Sequence, residues 1–334
     1  MTDSAQIPSV TDRAKPVAAG GAVVGIHFLR ETAVLVLGEE SLLLVAPDGA
    51  EQRVAVHAGG ILSVAADGAR ILTGGDDGHV VATNQKGEHE AIATDAKHRW
   101  IDRVAFGPDG AIGWSAGKQA FVRTGKGEVK SLDLPSSAGG LAFAPKGLRL
   151  AIAHYAGVSL WFPNAQAAPE VLSWKGSHLD VLFSPDGKFL VTAMQEPTLH
   201  GWRLMDGKDM RMSGYSGKVS SMAFTAGGKW LATSGSEQLI LWPFGSKDGP
   251  MGKQPRMVAP YEKRVVAVAC HPKQEIVASG FEDGLVMLAR IDDGAEILAR
   301  RPGAAPISAL AWNFDGSKLA FGTEEGEAGI VDLS

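Results

Sequence analysis

Four acidic pairs recur along the chain: Glu39-Glu40, Asp76-Asp77, Glu282-Asp283 and Glu324-Glu325. Carboxylates gathered on neighbouring turns create a field that attracts and orients a basic segment of another protein, although acids also favour turns and solubility on their own account. His154-Tyr155 occupies the corresponding place in another segment, and with the acids it completes the candidate docking residues. Other chemistry is sparse. Gly113-Trp114-Ser115-Ala116-Gly117 matches the G-x-S-x-G elbow, which works by placing its serine on a strained strand-to-helix turn. No helix follows here, so a strand of small residues is the better reading. The histidines show no H-x-x-x-H or H-E-x-x-H spacing, and no metal site is expected. His57, His79, His98 and His154 should nevertheless share one face. No catalytic residue and no cofactor is expected, and the chain reads as a non-enzyme.

The elements that carry these residues repeat. VGIHFLRE, LSVAADGA, DRVAFGPDGA, GGLAFAPKGL, LDVLFSPDGK, SSMAFTAGGK, VAVACHPKQE and SALAWNFDGS align on Phe28, Ala66, Phe106, Phe143, Phe183, Phe224, Cys270 and Trp312. Successive anchors lie 38, 40, 37, 40, 41, 46 and 42 residues apart, a period that selects repeat architectures. A tight turn follows each anchor, such as Pro185-Asp186-Gly187 or Asp315-Gly316, where Asp and Gly tolerate positive φ. Then come a short apolar strand, a second turn that bears the acidic pairs, a third strand such as LILWPFGS, and a less regular fourth. No 3.6-residue period appears. Four-stranded sheets with two apolar faces bury both by stacking radially around an axis, which leaves only short edges. The expectation is an all-β, single closed β-propeller of eight four-stranded blades, or seven if the weak first unit is not a blade.

The eighth unit ends at Gly329-Ile330-Val331-Asp332-Leu333-Ser334 without a fourth strand. Residues 14–21 are similar to the fourth strand of the first unit, so an N-terminal strand should complete the last blade. Residues 1–13 are then a flexible tail and 14–334 the propeller.

The unit V-x-x-V-A-F-S-P-D-G, L-A-S-G, then L-W resembles the WD40 repeat from about residue 14 to 334, although Trp161, Trp202 and Trp242 are followed by Phe162, Arg203 and Pro243 where the family has Asp. The resemblance implies a protein-protein interaction scaffold. It also implies a hydrogen-bonded His, Ser or Thr, Asp and Trp set in each blade. His57, Thr73 and Asp77 supply three of these in the second unit, with Thr83 in place of Trp. Thr192 and Trp202 with Glu196 stand in the fifth, Tyr215 and Tyr261 take the His place in the sixth and seventh, and no unit holds all four.

Net charge is -5, so nucleic acid, which wants a basic face, is not an expected partner. No apolar run nears the ~18 residues of a bilayer span, and no membrane partner is expected. The single cysteine, Cys270, stands where other units have Phe and reads as a buried, inert thiol. With no leader at MTDSAQIPSVTDRAK, the expectation is a cytoplasmic monomer. A second reading keeps a metal or small ligand in the central funnel, with lactonase-like hydrolase activity.

Overall fold

The protein, described here as a computed structural model, is defined over residues 7–334. It is an all-β propeller of four-stranded antiparallel blades, with two three-residue 3-10 turns among the described residues. Its backbone divides into two compact units, His27–Lys218 and the residues up to Ile26 together with Val219–Ser334.

In the first unit, the opening blade is built from Thr32–Leu37, Ser41–Val45 and Glu51–Ala55 beside the His27–Leu29 end of its first strand. The next two run Ile61–Ala66 to His89–Thr94 and Arg103–Phe106 to Val129–Asp133. Strand order follows chain order in each because short turns can join only antiparallel neighbours. The turns work as their sequences predict. Asp67 Oδ1 accepts the Ala69 and Arg70 amides at 2.9 and 2.6 Å, while Gly68 takes φ 83°, a region a β-carbon disfavours. Apolar second and third strands then bury completely: Leu29, Val36, Leu42, Ile71 and Val81 pack into one cluster. Each such side chain contributes about 2 kcal/mol of apolar burial.

The fourth and fifth repeats depart from expectation. They share one six-stranded sheet, so eight repeats yield seven sheets. Leu150–Trp161 is continuous through the second and third strands of the fourth repeat, and Glu170–Phe183 joins its last strand to the first strand of the fifth. Tyr155, Ala156 and Gly157 reverse the chain with almost no loop, at φ 67° for Ala156 and 149° for Gly157, and a 2.9 Å bond joins His154 Nε2 to Ser159 Oγ across the reversal. The lower of the two expected counts is therefore the observed one. Its cause is this fusion, because the weak first repeat does form a sheet.

The second unit holds Met222–Phe224 to Arg256–Val258, Val265–Cys270 to Glu296–Arg300, and a last blade of Ile307–Trp312, Lys318–Thr323 and Glu327–Asp332. Ala14–Ala18 completes that blade, with Ala14 opposite Val331 and Ala18 opposite Glu327. The closing N-terminal strand is thus present. Of the tail expected over 1–13, residues 1–6 lie outside the described residues, while the Leu298 amide donates to Pro8 O at 2.8 Å and the Val10 amide to Leu298 O at 2.9 Å.

Within each unit, neighbouring repeats are latched near the start of their first strands. Ser63 Oγ donates to Ile101 O at 3.4 Å and Arg103 Nε to Gly139 O at 2.6 Å in one unit. In the other, Ser220 Oγ donates to Val266 O at 2.9 Å, and Ser308 Oγ to Val23 O. Second-strand glycines make room beside these latches. A β-carbon on Gly74 would lie 2.6 Å from Ile101, and one on Gly280 2.5 Å from Ile307.

Candidate functional site

The nominated residues sit on the turns between second and third strands, two of the four acidic turns in each unit. Two of these carboxylates, Asp77 and Asp283, are held by the residue four positions before their repeat's first strand.

In the second repeat that residue is His57. Its Nδ1 donates to Asp77 at 3.0 Å and its Nε2 meets Thr73 Oγ1 at 2.9 Å, so three of the expected polar set are bonded together. Asp77 also accepts the Ala58 and His79 amides at 2.9 and 3.1 Å. Burial alone would raise its carboxyl, but these bonds outweigh burial and hold it below the usual carboxylate range. Asp76 lies against Gly59, where a β-carbon would meet its Oδ1 at 2.0 Å.

The seventh repeat has Tyr261 in the His57 place. Its hydroxyl donates to Asp283 at 2.8 Å, and Asp283 also accepts the Leu285 amide at 3.1 Å. Burial first, then the Asp283 charge, pushes the phenol up to about 12. The companion acid Glu282 takes Arg264 Nε at 2.9 Å.

The first and eighth repeats have Ala19 and Gly303 at this place, neither with a side chain that could donate. Glu39, Glu40, Glu324 and Glu325 are exposed, with no side-chain partner among the described residues. Only their turns' backbone is constrained: Glu40 O accepts the Val56 amide at 2.9 Å and Glu39 O the Ile61 amide at 3.0 Å. His154 is buried, bonded to Tyr155 O at 2.8 Å and to Ser159, whereas the Tyr155 ring is 63% exposed.

In the fifth repeat the sequence reading finds Thr192 and Trp202 but misses the histidine. His178 Nδ1 bonds Thr192 Oγ1 at 2.8 Å, and Thr192 donates to His200 O at 3.2 Å beside buried Trp202. His178 lies at the first-strand start instead of four residues earlier, which hid its role. Trp174 stacks on His200 with centroids 3.9 Å apart, while Trp100 is 62% exposed. Ser115 is fully buried within Ile112–Ala116, so no exposed elbow presents it. Cys270, expected to be buried, is half-buried, and desolvation by the surrounding protein pushes its thiol up to about 12. No group of three or more His, Cys, Asp or Glu side chains is arranged to hold a metal ion among the described residues.

A polar set repeated on four-stranded antiparallel blades defines a WD40-type propeller. Two family descriptions match this chain: the WD domain, G-beta repeat over residues 208–242, and the anaphase-promoting complex subunit 4 WD40 domain over residues 268–334. Together with the four-stranded blades, these two matches support a WD40-repeat β-propeller family for the chain. Among solved structures it is similar to the computationally designed Ika8 protein, with a TM-score of 0.77 and 16% identity over 93% of this chain and 96% of that one. No curated protein matches it.

Proposed function

We propose that the protein is a non-enzymatic interaction scaffold that takes a basic segment of a partner protein on its second-to-third-strand turns. One observation carries this reading: Glu39, Glu40, Glu324 and Glu325 stand exposed and unpartnered where the same turns of other repeats commit an acid to the blade. A free surface carboxylate costs nothing to desolvate from an existing bond and steers a cationic partner at long range. Tyr155, exposed on the corresponding turn of the fourth repeat, offers an aromatic contact.

The test is fluorescence anisotropy of a labelled lysine- and arginine-rich peptide at low and high salt, with the chain unaltered or carrying Glu39→Lys, Glu40→Lys, Glu324→Lys and Glu325→Lys together. Salt-sensitive binding that the four reversals abolish supports the reading. Binding unchanged by the reversals removes it.

A further inference from the structure

Across the last blade, Phe321, Gly329 and Pro16 are register partners on three adjacent strands. Gly329 shapes this row: a β-carbon there would meet the Phe321 ring at 2.6 Å, so the ring lies over the glycine, toward the N-terminal strand. A cavity of about 340 Å³ opens beside it, walled by Ala14, Pro16 and Val17 of the N-terminal strand and by Phe321 and Ala328 of the blade that strand completes. Its charged wall groups are Arg300, which ends the last strand of the seventh repeat, and Glu327. All of these residues lie in one compact unit. The volume falls at the lower end of the range for small-molecule sites, about 300–1,000 Å³.

Arg300 is fitted into this wall by two glycines. A β-carbon on Gly284 would collide with its Nη1, and one on Gly303 would lie 2.7 Å from its Nη2. The guanidinium stands 5.3 Å from the Phe321 ring centre, and it donates through Nη1 to Gly284 O and through Nη2 to Glu327. Its Nε has no hydrogen-bond partner among the described residues. The two charges are unequally placed: 14% of the Arg300 side chain is exposed against 56% of the Glu327 side chain, so the cation is fixed in the wall and its anion reaches it from the solvent side. Water competes for an anion so placed, and such a pair contributes little. Glu327 therefore covers the Arg300 charge without filling the apolar space beside it.

We propose that this cavity binds a small aryl- or alkyl-carboxylate, whose acid group displaces Glu327 from the Nε–Nη2 edge of Arg300 while its apolar body packs between Phe321 and the N-terminal strand. A guanidinium edge offers two parallel N–H bonds to a planar carboxylate, and Glu327 uses one of them. The apolar body takes the walls of the cavity out of water, a gain that Glu327 does not supply. A phosphate would meet a single cation among apolar walls, and an amine would face the Arg300 charge. The site is independent of the exposed acids on the second-to-third-strand turns.

The experiment is thermal unfolding of the full chain with phenylacetate, 2-naphthoate and octanoate, with acetate and the matching neutral amides as controls, followed by calorimetric titration of the best ligand. At least one of the three acids should raise the melting temperature saturably, while acetate and the amides at equal concentration do not. Glu327→Gln removes the internal competitor and should tighten binding about two- to fivefold, the release of one exposed ion pair. Arg300→Gln should weaken it about tenfold or more, the loss of a charge-assisted pair of hydrogen bonds. The proposal is overturned if none of the three acids shifts the melt, if an amide binds as tightly as its acid, if Glu327→Gln binds no tighter than the parent, or if Arg300→Gln binds like the parent. Should Arg300→Gln fail to fold, Glu327→Gln decides together with the acid and amide pairs, since its isosteric side chain leaves the Glu327 amide bonded to Thr323 Oγ1.

Discussion

The Tyr261 hydroxyl donates to the Asp283 carboxylate at 2.8 Å, the relationship that the second repeat builds between His57 and Asp77. A phenol has replaced an imidazole and kept the bond because both deliver one N–H or O–H to the same turn. Tyr261→Phe removes the donor and little else. Its ring still packs on Phe281, with centroids 5.0 Å apart. Urea unfolding should show a loss of about 1–2 kcal/mol, the range for a hydrogen bond to a charged group, with peptide binding unaltered.

Acid should destabilise the fold well above the carboxylate range. Burial lowers His27 and His200 to about 4 from an ordinary 6.5. The unfolded chain therefore takes up these protons first, so their contribution is complete above about pH 6.5 and is lost as pH falls toward 4. His200 sits within the Trp174 stack and both its ring nitrogens lack hydrogen-bond partners. Chemical denaturation at pH 7 and pH 5 should reveal the decline. In His200→Phe, which keeps an aromatic ring in the stack, the slope should be shallower.

Removal of residues 1–20 should lower the melting temperature markedly. It deletes both Ala14–Ala18, paired over its full length with Glu327–Asp332, and the Pro8 and Val10 bonds to Leu298. Removal of residues 1–10 takes away the Leu298 bonds but keeps Ala14–Ala18, and should lower the melt less. Calorimetric scans of the two truncations separate these cases.

Gly280→Ala should cost about 1–3 kcal/mol, the range for overpacking a close-fitted interior. The new methyl would meet the branched Ile307 side chain at 2.5 Å, with no open space on that side. Gly207→Ala introduces a β-carbon with nothing within 4 Å, and its φ of 68° confines the penalty to backbone strain. Comparing the two by equilibrium unfolding distinguishes crowding from conformational cost.

Cys270 should resist alkylation in the native state at pH 8. Burial holds its thiol near 12 and so removes the reactive thiolate, and its Sγ lies 3.5 Å from Ala223 O. Mass-spectrometric labelling with iodoacetamide should become rapid only when denaturant unfolds the chain.

The repeats were readable because their punctuation is chemical: Asp186-Gly187 and Asp315-Gly316 turn where sequence places them, with Gly187 at φ 73° and Gly316 at 81°. The fusion of the fourth and fifth repeats was not readable. Tyr155-Ala156-Gly157 looks like an ordinary turn, and nothing in its composition says that strand pairing continues almost through it. At the acidic turns the pattern exposed the pairs but not which acids are held. Asp77 and Asp283 are held by His57 and Tyr261, each about twenty residues upstream of the acid concerned, and this becomes visible only when the residue before each first strand is read together with its turn.

The pairing of Ala14 with Val331 joins residues more than three hundred positions apart. During synthesis, the early strand emerges long before its partner exists, and its unpaired edge must stay out of wrong pairings throughout that interval. Closing so long a loop also carries a large entropic barrier, which makes the last blade the natural final step of folding and the first place where the native structure opens.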